Sequence, residues 1–99
     1  MTATIIVTGV FADGYAPHFA DYSRRVRAFL DSHHGVVVRR QRVSAVLEGE
    51  GADLVMLIDF PSREIAATIF DRPEYRAIIP LREKIFAQFN MMLADAGEI

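Results

Sequence analysis

Five side chains in this sequence belong to types that move protons or hold the polar end of a ligand: His18, Tyr22, Asp59, Arg63 and Tyr75. Asp59 follows the apolar run Leu54 to Ile58, and a carboxylate drawn out of water has its pKa raised, which suits it to proton transfer. Arg63 stands just beyond the tight Pro61-Ser62 connection, so the two together present an acceptor and a fork of donors. A second reading of the pair stays open, in which Asp59 sits at the sheet rim and its ion pair with Arg63 only fastens the strand–helix corner. His18 begins a helix, and is either near the mouth of a cleft between helices and sheet or a solvated surface histidine. Tyr22 and Tyr75 complete the edge of such a cleft, with the Tyr75 ring packed under the second helix and its hydroxyl at the rim.

Other chemistries find no support in residue types or spacing. His18 and His33 lie 15 positions apart on one helix, about 22 Å at the helical rise, and cannot share an ion. His33 and His34 are adjacent and diverge by roughly 100°, and His-x3-His and His-Glu-x-x-His patterns are absent. No metal and no cofactor are therefore expected, and a metal site assembled across two copies would use His33 or His34. His34 beside Gly35 suits a helix C-terminus, where positive charge is favourable. With no cysteine, disulfides and thiolate chemistry are excluded. The run Arg39-Arg40-Gln41-Arg42 lacks interleaved aromatics and the net charge is −2, so nucleic acid is not an expected partner. No glycine-rich loop joins a strand to a helix, which removes nucleotide binding.

The elements that must position these residues follow from periodicity. Thr4 to Val10 is β-branched and nearly all apolar, predicting a strand buried on both faces. Pro17 opens a helix whose apolar stripe is Phe19, Tyr22, Val26, Phe29, Leu30 and His33, and Gly35 stops it. Val36 starts a second strand that runs through Arg42 toward Val46-Leu47, and its charge marks it as an edge. Glu48 to Gly51 is a turn, Leu54 to Phe60 a third strand, and Ser62 an N-cap for a helix from Arg63 to Asp71. Pro73-Glu74-Tyr75 begins a short helical turn, Pro80 another through Ile85, and Phe86 to Leu93 is the last strand before a polar tail. The order β-α-β-β-α-β predicts an α+β, ferredoxin-like domain with a four-stranded antiparallel sheet.

At 99 residues there is room for one domain, residues 1–99, and one core. An apolar share of 52% with 24% charged residues excludes both disorder and a membrane protein. The N-terminus reads as a first strand and not as a leader, and no apolar run reaches membrane-spanning length, so the expected location is cytoplasmic. Two helices cover only one face of a four-stranded sheet. Apolar residues on both faces of the first and third strands would leave a large exposed patch, which a second copy packed sheet against sheet removes. Met56, Met91 and Met92 fit the core or that interface.

The stretch from Val46 to Lys84 resembles the domain of unknown function 1330 family. The likeness is carried by Leu47-Glu48-Gly49, Asp59-Phe60-Pro61-Ser62, Pro73-Glu74-Tyr75 and Ile79-Pro80-Leu81-Arg82, with the His34-Gly35 helix end. It implies the dimeric α/β-barrel superfamily, in which two ferredoxin-like domains face their sheets together. Val36 stands where the family commonly has a second glycine. Ile69-Phe70 replaces a Trp-Tyr pair, leaving that wall apolar. Cofactor-independent oxygenases of the superfamily use an Asn-Trp-His set; this chain has no Trp and a single Asn, Asn90, so their chemistry is not implied. The expected function is that of a dimeric protein that binds, or acts by proton transfer on, a small organic acid or aromatic compound, with a non-catalytic accessory or structural dimer as the alternative.

Overall fold

The computed structural model describes residues 2–95. Strands β1 (Ala3–Phe11), β2 (Val36–Arg42), β3 (Leu54–Phe60) and β4 (Phe86–Ala94) form one antiparallel sheet in the order β2-β3-β1-β4. Helices α1 (Ala16–Ser32), α2 (Arg63–Thr68), α3 (Pro73–Arg76) and α4 (Ile79–Ile85) connect them. This is the ferredoxin-like arrangement, with the first strand in the centre and the charged β2 at an edge.

Strand parity sorts the sheet into two faces. Ala3, Ile5 and Val7 of β1, with Leu54, Ile58 and Phe60 of β3, are each 5% exposed or less and meet the helices through Leu30, Ala66, Ile69 and Ile85. The opposite face carries Ile6 between Leu57 and Met92, and Thr8 between Val55 and Asn90. The first strand is therefore not apolar on both faces, as its composition suggested. Thr4 and Thr8 alternate with Ile6 and Val10 on the open side, and all four are half-buried. Met56 and Met91 pack against the core, whereas Met92 lies 48% exposed on the open face.

Local chemistry explains where elements stop. Ser62 caps α2 as expected, its Oγ accepting from the Ile65 amide at 3.2 Å. That helix ends at Thr68, and a 3₁₀ turn over Ile69–Asp71 supplies the rest of the expected span. At the end of α1 the left-handed residue is His34 (φ 65°) and not Gly35. Gly35 is instead required by close approach, since a Cβ there would lie 3.0 Å from the Phe60 ring. β2 stops at Arg42, short of Val46-Leu47, because β3 begins only at Leu54. Beyond Arg42 only the Val43 amide reaches back, donating to the Asp53 carbonyl at 2.9 Å, and Leu47 is 95% exposed. Gly9 makes room for the ring of Phe86, which a Cβ would meet at 2.6 Å. The polar tail expected after β4 lies, from residue 96, outside the described residues. No helix among the described residues is long and apolar enough to cross a membrane.

Candidate functional site

The five chemically capable residues do not share one pocket. Asp59 is on the open face of the sheet, because its neighbours Ile58 and Phe60 take the helix-facing positions. There its carboxylate accepts from the hydroxyl of Thr4, its cross-strand partner, at 2.6 Å. Arg63 turns the other way, and its Nε bonds the Asp95 carboxylate at 3.2 Å in an exposed pair. The expected Asp59–Arg63 pairing is thus corrected by strand parity. His18 is half-exposed in the first turn of α1.

Tyr22 and Tyr75 are brought together in the helix layer. Tyr22 is 8% exposed and its ring meets Phe86 edge-on at 5.8 Å, while Tyr75 packs on Phe29 and Phe70 at 5.4 and 5.0 Å. Burial, reinforced by Tyr75 and opposed by Arg82, raises the Tyr22 hydroxyl well above its ordinary value of 10.0. The phenol therefore keeps its proton at neutral pH and acts only as a donor or a polar contact. The Tyr75 hydroxyl accepts from Arg82 Nη1 at 3.0 Å.

Of the five, only Tyr22 borders the hollow between α1 and the sheet. This slot of about 40 Å³ runs beneath α1 toward the β2 edge. At 10–15 Å³ per water it takes roughly three waters, or one small apolar group. Phe19, Val26 and Leu30 of α1 wall it on one side, and Leu54 and Met56 of β3 on the other. Its polar contributors are Ser23, Arg27 and Arg40, with Arg40 Nη1 donating to Ser23 Oγ at 3.4 Å and its guanidinium 5.2 Å from the Phe19 ring centre. Neither guanidinium pairs with a carboxylate among the described residues.

Larger hollows exist, and in one of them most polar groups are already engaged. One of about 250 Å³ lies where the end of α1 meets α2. Of its lining residues, Ser32 donates to the Ala28 carbonyl, Thr68 to the Glu64 carbonyl, and Arg72 and His33 both pair with Glu74. The Arg72 hydrogen bond holds the Glu74 carboxyl below its usual value. Among the described residues no three His, Cys, Asp or Glu side chains gather as metal ligands would.

Sequence reasoning missed Arg27, Arg40 and Arg82. For Arg82 the spacing of seven from Tyr75 was no guide, since the two stand on separate helices, α3 and α4. For Arg40 the signal was parity against Met56, obscured by a register shift between Val37 and Arg39.

Comparison with known proteins agrees with this architecture. A family model described as Domain of unknown function (DUF1330) matches residues 11–96. Among solved structures, a protein of unknown function from Rhodopseudomonas palustris superposes with a TM-score of 0.78 at 17% identity, covering 99% of this chain and 84% of that one. A dabb family protein with a ferredoxin-like fold from Mesorhizobium loti gives 0.72 at 11% identity, over 98% of both chains. A dimeric protein of unknown function with a ferredoxin-like fold from Bacteroides fragilis gives 0.65 at 11% identity, over 96% of both. No curated protein matches the sequence.

Proposed function

The chain belongs to the family of the domain of unknown function DUF1330, and from that premise we propose that it works as a homodimer binding a small aromatic acid at the mouth of the slot under α1, with only the edge of the ring entering it. The observation that carries this reading is the slot itself. Apolar walls from α1 and β3 would take a ring edge, and the Arg27 and Arg40 guanidiniums would meet a carboxylate at the rim. The reading is binding and not proton transfer. The slot's ionisable groups are guanidiniums, which are permanent charges and donors, and Tyr22, which keeps its proton.

Pairing through the open sheet face is supported by Ile6, Leu57, Val55 and Met92, which form an apolar centre framed by Thr4, Thr8 and Asn90. The structural neighbour described as dimeric favours the same reading. Titrating benzoate into ¹⁵N-labelled protein tests the slot. Amide shifts at Val26, Leu54 and Met56 should saturate, and Val26→Trp, which fills the slot, should abolish them without lowering the melting temperature. Shifts that are absent, or unchanged by Val26→Trp, would defeat the proposal and leave the non-catalytic dimer as the better account.

A further inference from the structure

The arginines of this chain fall into two groups. Arg24 and Arg25 pair with Asp21, Arg63 with Asp95, Arg72 with Glu74 and Arg76 with Asp71. Arg27, Arg39, Arg40, Arg42 and Arg82 pair with no carboxylate among the described residues. Four of these five are exposed, where water serves as partner, but Arg82 is half-buried. Its guanidinium lies 4.6 Å from the ring centre of Phe89 and 5.9 Å from that of Tyr75. Ring faces and the bond to Tyr75 offset part of the cost of removing this charge from water, and leave the charge itself unneutralised.

Tyr75 adjoins it, and Tyr22 stands on α1, which packs against the helix carrying Arg82. The Tyr75 oxygen accepts from Arg82, so its own O–H proton remains to be donated outward. Tyr22 lies close enough for its ionisation to be influenced by both Tyr75 and Arg82, and its hydroxyl makes no hydrogen bond among the described residues. Every fully buried side-chain nitrogen and oxygen among them has a partner, so the Tyr22 hydroxyl is not fully buried. Three helices thus contribute one unpaired cation and two phenolic donors with no competing carboxylate. The pairing also joins Pro73-Glu74-Tyr75 to Ile79-Pro80-Leu81-Arg82 through a single contact.

We infer that Arg82, Tyr75 and Tyr22 form a binding site for a small oxyanion, a carboxylate or phosphate edge received by the guanidinium fork and the two O–H groups. The site shares Tyr22 with the wall of the slot under α1, while Arg82 and Tyr75 lie outside that slot. Sodium acetate, inorganic phosphate and sodium chloride, each titrated at equal ionic strength, test it through the Arg82 Nε–H resonance and the Tyr75 amide in ¹H–¹⁵N NMR spectra. Acetate or phosphate should give a saturating shift that chloride does not, and whichever binds more tightly identifies the source of the oxyanion. Arg82→Gln and Tyr22→Phe should each weaken binding about tenfold or more, as loss of a charge-assisted hydrogen bond predicts. Arg82→Lys keeps the charge without the fork and should bind several-fold more weakly than the parent, which tests the fork even if Arg82→Gln fails to fold. Arg82 does not line the slot, so loss of the response in Arg82→Gln is distinct from any effect of Val26→Trp on benzoate. The inference is overturned by a shift that follows ionic strength alone, or by acetate and phosphate affinities that Arg82→Lys and Tyr22→Phe leave unchanged.

Discussion

The two faces of the sheet are built from the same strands and do different work. On the helix side, Ile5, Val7, Ile58 and Phe60 are closed off from water within one chain. On the open side, Ile6, Leu57 and Val55 are half-covered and interleaved with Thr4, Thr8 and Asp59. A face that needs only its own chain is uniformly apolar. One that meets water or a partner mixes apolar centres with groups that can be satisfied either way. The first face sets stability, and the second sets what the molecule meets.

Substitutions on the two sides should therefore fail differently. Phe60→Ala empties a site that is 1% exposed and should cost about 3–5 kcal/mol, read as a lower denaturant midpoint. Leu57→Asp on the open face should leave a folded chain by circular dichroism while light scattering falls from the mass of two chains to that of one. A monomeric mass for the unaltered protein at micromolar concentration would remove the proposed pairing altogether.

Tyr22 belongs to the closed side and gives that side a pH limit. Its folded-state value is raised above 10.0, so its contribution is complete below pH 10 and is lost as pH rises beyond it. Each unit above 10 removes at most about 1.4 kcal/mol. Tyr22→Phe should accordingly flatten the alkaline fall in melting temperature. Smaller still, Thr4→Val leaves Asp59 without its hydroxyl donor on the open face and should cost about 1 kcal/mol in urea unfolding. Arg63→Ala removes only an exposed pair, 63% and 57% accessible, and should change stability by about 0–1 kcal/mol.

The closed face was the legible one. Leu54–Phe60 is a strand over the expected residues, and the Ser62 cap sits where a hydroxyl before an apolar helix should be. Tyr75 is buried with its hydroxyl hydrogen-bonded. What composition could not convey was parity. Asp59 looks like the end of a buried strand in a one-dimensional reading, yet its position between Ile58 and Phe60 puts it on the opposite face from the helices. Arg63 and Asp59 are near neighbours in sequence and point apart for the same reason. Tyr22 is expected on the apolar stripe of α1, and Tyr75 under the second helix with its hydroxyl at the rim. Arg82 escaped notice because Pro80 seemed to start an unrelated turn. The junction of α3 and α4 brings the two side chains into contact across separate helices.

The position of β1 has a consequence for how the chain reaches this state. Residues 3–11 lie in the middle of the sheet, hydrogen-bonded to residues 54–60 on one side and 86–94 on the other. Residues 3–11 are therefore synthesised before both of their partners and must wait for residues 86–94 before both edges are occupied, and the Phe86 ring over Gly9 can settle only then. Such long-range closure is entropically slow, which places folding in roughly the millisecond-to-second range of non-local topologies. Until that closure, the β-branched run from Thr4 to Val10 has both edges open to strands of other chains, and the nascent protein is at its most aggregation-prone.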